Sequence, residues 1–325
     1  AESAGLSAAD GSLEVHFLDI GQGDSALLFC GEETMLIDGG KVKNNQKLIA
    51  RLKELEVDHL DAVICSHPDE DHCGGLSAVL ASTRTDAFYC SVDSWHTKVF
   101  SDVTKYVEQQ GISVTVPQAG DSFAFGEANV EFLGPVEDYG DDPNEGSLVA
   151  RVRYGETSFL FTGDMGFEAE DDMLAAGVDV SATVLKVAHH GSAGSSSTEF
   201  LQAVHPQYAV ISVGADNDYG HPTEAALNRL AGCGIPVYRT DLLGEIIAVS
   251  DGKTVTMTTA SNETPSADAA SQPKGSYGYV GNSSSKVVHL ASCGKLPGES
   301  NRVYFASLDE ALAAGYRKHA SCLGS

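Results

Sequence analysis

The chain has 325 residues, 46 acidic and 20 basic side chains, a formal net charge of −26 and 42% hydrophobic residues. That length holds one large domain plus a small one, or two ordinary domains, and no apolar run reaches the roughly 18 residues a membrane span requires. So large a negative charge argues against a broad nucleic-acid-binding face. The charge is unevenly spread, since the segment from residue 272 onward carries six Lys/Arg and three acids. An acidic body with a mildly basic tail reads as two units with separate tasks.

In chain order, residues 1–11 are small and polar, read as a disordered leader, and start on Ala1 rather than Met, which fits a leader already removed. Residues 13–20 and 25–29 alternate as two strands, joined by the glycine turn Gly21-Gln22-Gly23-Asp24. A short strand over 34–37 ends in Asp38-Gly39-Gly40, and 46–55 has helical spacing. The apolar strand 62–65 runs into His67-Pro68-Asp69-Glu70-Asp71-His72, which puts two His and two Asp within six residues. Helices are predicted from 75 to 80 and from 99 to 110, the second stopped by Gly111, with a strand over 87–90 between them.

Strands follow at 113–116, 128–133, 147–154, 158–162 and 183–187, the last ending in Ala188-His189-His190-Gly191-Ser192. Residues 200–204 and 224–231 look helical, with a strand over 208–213 between them, and 237–238, 245–249 and 254–258 are expected to close a second sheet. Residues 259–275 are rich in Ser, Ala, Pro and Asn and lack periodicity, as a linker would. The pattern predicts an α/β sandwich of two mixed sheets over 12–258 and a compact module over 276–325.

His and carboxylate side chains at a strand end suit a divalent metal that generates hydroxide near neutral pH. His67 and Asp69 lie two apart on an extended segment and suit one ion, whereas Asp71 and His72 suit a second. Asp164, at the end of an apolar strand in Thr162-Gly163-Asp164, could bridge two ions with its two oxygens, and His189 would complete the second site. Spacing leaves the choice between His189 and His190 open; His189 comes first off the strand, which leaves His190 to substrate or to support of the ligands. His221 is a candidate general acid or phosphate contact. The seven cysteines, Cys30, Cys65, Cys73, Cys90, Cys233, Cys293 and Cys322, make no disulfide ladder in a chain this long.

The ligand segment, Thr162-Gly163-Asp164 and His189-His190-Gly191-Ser192 occur in the order seen in the metallo-β-lactamase superfamily, which the chain resembles over residues 12–258. Leu18-Asp19-Ile20-Gly21-Gln22-Gly23-Asp24-Ser25 and Tyr219-Gly220-His221-Pro222 are similar to the extracellular hydrolase domain of ComEC competence proteins and stand-alone relatives. The resemblance implies a metallo-β-lactamase-like αβ/βα sandwich, zinc or manganese as one or two ions, and Asp38 orienting the ligand loop from behind. It further implies a phosphodiesterase or nuclease acting on DNA, with Asp71, His190 and His221 in catalysis, in a bacterial protein that is extracellular or at the cell surface. Two departures stand out. Asp69 replaces a His common in the superfamily, and no His lies between His96 and His189, where Asn144 looks like the substitute.

In the tail, His289-x3-Cys293 and His319-x2-Cys322 are separated by 25 residues, a count and spacing that suit a structural zinc site. A module this small needs such a staple. Residues 279–282 and 301–307 resemble the zinc-binding domain of the Ada DNA-repair protein, and a Cys293–Cys322 disulfide is the competing expectation. The mildly basic module would hold a polymer that the acidic body repels. Besides a DNA hydrolase, two readings stay open: hydrolysis of a small ester or phosphodiester, and a non-catalytic binding protein with a degraded metal centre.

Overall fold

A computed structural model describes residues 11–215, 217–260, 279–282, 285–290, 295, 302–305 and 308–323. The leader through residue 10, Cys293 and the expected linker beyond residue 260 lie outside the described residues. The chain divides into two compact units, Ala1–Ala270 and Ser271–Ser325.

The first unit opens with β1 (Leu13–Phe17), β2 (Ala26–Cys30), β3 (Glu33–Ile37), α1 (Asn45–Glu54) and β4 (His59–Cys65). It continues with α2 (Glu70–Cys73), α3 (Leu76–Ser82), β5 (Arg84–Cys90), α4 (Lys98–Gln109) and β6 (Val114–Thr115). β7 (Ser122–Phe125), β8 (Ala128–Gly134), β9 (Val149–Tyr154), β10 (Thr157–Phe161), α5 (Phe167–Ala175), β11 (Val184–Lys186), α6 (Thr198–Val204) and β12 (Tyr208–Ile211) follow. The unit ends with α7 (Glu224–Gly232), β13 (Val237–Arg239), α8 (Thr240–Leu243), β14 (Ile246–Ser250) and β15 (Val255–Thr259).

Two mixed sheets form the sandwich. One has the order β15-β14-β1-β2-β3-β4-β5-β6 and the other β13-β12-β11-β10-β9-β8-β7. Val15, Leu28 and Ile64 of the first sheet meet Phe132, Val152, Phe159 and Val210 of the second in one buried layer. The outer face of the first sheet packs its alternate residues, such as Leu36, Val63 and Phe88, on Leu48, Leu76, Val79 and Phe100 of α1, α3 and α4. The second is covered the same way by Met173, Phe200 and Leu227 of α5, α6 and α7. Full burial of such a side chain stabilises the fold by about 1.5–3 kcal/mol.

The expectation that 245–249 and 254–258 close the second sheet is corrected. β14 pairs antiparallel with β1 (Val15 opposite Ala248) and β15 pairs with β14, so both belong to the first sheet. The seam is tied by His16, which lies 2.6 Å from both Glu14 and Glu245, with Arg51 of α1 donating to the same Glu245 carboxylate. In this unit α2, β7, α5 and α8 have no counterpart among the predicted elements. In α5, Phe167-Glu-Ala-Glu-Asp-Asp-Met buries Glu170, which breaks the apolar stripe that marks a helix in sequence.

β3, β4 and β5 run parallel in one sheet, and β10, β11, β12 and β13 in the other. Parallel strands put their C-terminal loops on one edge, where an open α/β sheet gathers functional side chains. Asp38, the His67–His72 loop, Asp164, His189, His190 and Ser212 all follow the C-terminal ends of such strands.

Candidate metal centre

β3 delivers Asp38 in a left-handed conformation (φ 59°), one that Asp tolerates better than most residues. Its Oδ1 accepts the Ser66 N–H at 2.7 Å, and its Oδ2 accepts Ser66 Oγ and His72 Nδ1, each at 2.8 Å. The ligand loop is thereby hung on one buried carboxylate. Close backbone approach makes this possible: a Cβ on Gly75 would stand 2.0 Å from the Gly39 carbonyl oxygen. His67 is fully buried, its Nδ1 facing Ser66 Oγ at 3.0 Å and Ser147 Oγ at 3.4 Å, and its ring lies 4.2 Å from that of His72.

From the second sheet, Asp164 places Oδ1 2.9 Å from His72 Nε2 and Oδ2 3.7 Å from His190 Nε2. His190 Nδ1 donates to the Ser212 carbonyl at 2.9 Å and lies 3.1 Å from Asp24 Oδ1, while Asp24 Oδ2 binds the buried Lys186 ammonium at 2.7 Å. His190 Nε2 also stands 3.7 Å from Asp71 Oδ2. His189 sits at the rim, 31% exposed, with Nε2 3.6 Å from Asp164 Oδ2.

The donor set fits a cation. His67 Nε2, His72 Nε2, His190 Nε2 and Asp164 Oδ1 are all buried and without a hydrogen-bond partner. The His72–Asp164 approach is close but not aligned as a hydrogen bond. One atom each from Asp24, His72, Asp164 and His190 falls within a 4.8 Å cluster. Fixing Nδ1 on a carbonyl or carboxylate leaves Nε2 as the free lone pair, the usual arrangement of a metal-binding imidazole.

Without a cation, protons occupy the cluster. Burial pushes His67 down to about 3, with the neighbouring charge of His72 acting in the same direction. For His72 burial is outweighed by Asp164 and Asp38, which hold it well above its ordinary value. His190 likewise overcomes burial through Asp164 and Asp24 and reaches about 10. Burial opposes ionisation of Asp164 and Asp71, yet the facing imidazolium groups keep both below the usual carboxylate range. A bound cation would take over the role of these protons, so its binding releases them.

The structure brings His67, Asp71, His72, Asp164, His189, His190 and His221 to one place. Asp69 stands at the edge, 41% exposed on its side chain, with Oδ2 3.9 Å from His67 Nε2. His221 has its ring 5.6 Å from that of His189, and burial together with the charges of His190 and His189 pushes it to about 4. It is therefore neutral at pH 7, which suits a hydrogen-bond contact better than a general acid. Asn144 Oδ1 is buried and unpartnered. Cys73 is packing: its thiol donates to the Pro68 carbonyl at 3.1 Å, and burial pushes it far up. Asp24, Lys186, Ser66, Ser147 and Ser212 join the site without having been expected there; only Asp24, beside two turn glycines, carries a local signal.

Glu170, buried in α5, accepts the backbone N–H groups of Ser196 and Ser197 and holds the loop that leaves His190. Burial, opposed by those N–H groups and by Arg229, raises its carboxyl from 4.5 to about 7. The folded chain then keeps a proton that the unfolded chain loses. The stability tied to this group is full below about pH 4.5 and falls as pH rises towards 7, by about 1.4 kcal/mol for each pH unit. Chemical denaturation at about pH 5 and pH 7.5 should show this decline in the wild type and a reduced decline in Glu170→Gln; identical slopes would refute it.

The second unit is a four-stranded sheet of β16 (Tyr279–Asn282), β17 (Val287–Leu290), β18 (Arg302–Phe305) and β19 (Arg317–Lys318), with α9 (Leu308–Ala313) and α10 (Ala320–Leu323). Its core of Val288, Ala311 and Tyr316 is thin. His289 and His319 stack with ring centres 4.0 Å apart, and His319 Nδ1 lies 3.2 Å from Cys322 Sγ. Donor atoms of these three fall within 4.8 Å, and His289 Nδ1 is buried and unpartnered.

Residues 18–215 match the metallo-beta-lactamase superfamily. Over 230 residues the chain is 35% identical to competence protein ComA of Neisseria gonorrhoeae, which covers 70% of this chain and 31% of that protein. Over 251 residues it is 30% identical to ComE operon protein 3 of Bacillus subtilis, covering 72% of this chain and 32% of that one. The chain spans about a third of the length of these relatives. Among solved structures, the metallo-beta-lactamase fold protein YhfI of Bacillus subtilis aligns with a TM-score of 0.49 at 14% identity, covering 76% of this chain and 99% of that one.

Proposed function

The chain belongs to the metallo-β-lactamase superfamily, and from that premise we propose that it is a metal-dependent phosphodiesterase that cleaves DNA. The observation that carries the reading is the convergence of two buried, unpartnered Nε2 atoms, from His72 and His190, on the carboxylate of Asp164, with His67, whose Nε2 is likewise buried and unpartnered, packed 4.2 Å from the His72 ring. Zinc or manganese held there would supply a hydroxide nucleophile and neutralise charge on a phosphate. In this proposal His190, its ring set by Ser212 and Asp24, takes the ligand position expected of His189. His189 and neutral His221 then line the rim and donate to phosphate oxygens. DNA as substrate draws on the competence proteins to which the chain is similar, and action outside the cell or at its surface is part of the same proposal. No helix among the described residues is long and apolar enough to cross a membrane.

Chelator-treated protein should leave single- and double-stranded DNA intact and regain cleavage when manganese or zinc is returned. A folded, metal-replete protein that cleaves neither would refute the proposal and favour a non-catalytic role or a small-molecule ester. We further propose that the second unit holds structural zinc through His289, Cys293, His319 and Cys322, of which His289, His319 and Cys322 lie among the described residues. Elemental analysis should then lose about one zinc per chain in Cys322→Ser, with the melting temperature of that unit lowered; unchanged zinc would exclude the site.

A further inference from the structure

Tyr219 is a large exposed ring, 60% accessible, yet held in place. It stacks on His221 at 5.7 Å with an interplanar angle of 23°. Lys41, from the loop after β3, donates to its hydroxyl at 3.1 Å and lies 4.9 Å from the ring centre. The His221 backbone is fixed in turn, because its N–H donates to Asn217 Oδ1 at 3.0 Å while Asn217 Nδ2 donates to its carbonyl at 2.7 Å. The ring is therefore held at a set position while most of its residue surface stays accessible to solvent.

Lys41 links this ring to the centre. Its ammonium stands 3.8 Å from Asp71 Oδ2. In a chain with net charge −26, residues 41–53 hold Lys41, Lys43, Lys47, Arg51 and Lys53 and no acid, although Arg51 is engaged by Glu245 and Glu54. Lys43 and Lys47 are exposed, although Lys47 also lies 3.0 Å from Asp19. A fixed aromatic face beside a cation, with further cations along the following segment, is the combination that binds an unpaired nucleic-acid strand. Bases stack on the ring regardless of identity, and phosphates follow the charges.

We propose that Tyr219 and Lys41 form a nucleotide clamp in which the ring stacks a base next to the scissile phosphate and the ammonium contacts a backbone phosphate. The substrate class is a single-stranded or frayed strand, because a base paired within a duplex cannot reach a side-chain ring. The inference rests on the phosphodiesterase reading.

Two readouts separate its failure from the failure of that reading. The first is steady-state cleavage of a single-stranded oligonucleotide by the manganese-loaded protein. Tyr219→Ala should raise KM about tenfold with kcat changed less than about threefold, and Tyr219→Phe should restore KM to within about twofold. Lys41→Gln should raise KM and flatten its salt dependence by about one phosphate contact. An unchanged KM in Tyr219→Ala, a loss confined to kcat, or no rescue by Phe would overturn the clamp while leaving the phosphodiesterase reading intact. The second readout is quenching of a 2-aminopurine oligonucleotide by the full chain in chelator, where no cleavage occurs. Quenching by the wild type that is lost in Tyr219→Ala supports base stacking on the ring, and quenching without any cleavage would overturn the phosphodiesterase reading rather than the stacking. Absence of quenching by the wild type overturns the clamp.

Discussion

Asp164→Asn will lower metal-dependent hydrolysis on the order of 10³-fold while the protein stays folded. The carboxylate is 3% exposed and faces Nε2 of His72, His190 and His189 at 2.9, 3.7 and 3.6 Å. Asn keeps the shape, removes the charge, and offers at most one neutral oxygen to a cation. Residues that only support ligands typically cost 10–100-fold, so a larger loss separates a ligand from a support. A second readout comes from the metal-free state. There Asp164 is the largest charge raising both His72 and His190. NMR titration of Asp164→Asn should find both imidazoles shifted to lower pKa. More than about a tenth of wild-type activity, with the titrations unmoved, would rule out this placement.

Asp38 separates positioning from binding. It touches no solvent to speak of and accepts three hydrogen bonds, from Ser66 N, Ser66 Oγ and His72 Nδ1. Asp38→Ala strands all three donors and removes one of the two carboxylates that face the buried His72, a loss that costs about 3–5 kcal/mol in comparable cases. The expected result is a large fall in denaturation midpoint, even without metal. Asp38→Asn behaves differently. Its oxygen can still accept from Ser66, but its NH₂ presents a donor to His72 Nδ1 and drives the imidazole proton to Nε2. The lone pair that would face a cation is then lost. Metal affinity should fall about 10–100-fold with little loss of stability. Calorimetric titration with manganese checks it, and equal affinity in Asn and wild type would show that Asp38 does not set the tautomer.

Much of the site is readable in the sequence because its residues are local. The six-residue stretch from His67 to His72 follows an apolar strand, and Asp164 and His190 follow others, so strand ends and metal-ligand residue types coincide in the sequence. Asp38 is placed only through its motif, since nothing local says that its carboxylate reaches 28 residues along the chain to Ser66. The membership of the second sheet escapes the sequence for the same reason. β14 reads as an ordinary strand, and only the pairing of Phe17 with Ile246, more than two hundred residues apart, puts it in the first sheet.

By itself, then, the sequence determined most of the element types, their apolar faces and the metal-ligand character of the loops, because those follow from periodicities of two and 3.6 residues and from side-chain chemistry. The tertiary structure alone decided which nitrogen of His190 is buried and free. His189 and His190 are neighbours of one residue type, and no spacing distinguishes them. The Ser212 carbonyl and the Asp24 carboxylate, brought in from a parallel strand and from the turn after β1, hold His190 Nδ1 and leave Nε2 to the centre. Such a choice depends on hydrogen-bond partners that are distant in the chain, and these exist only once the two sheets have closed on each other.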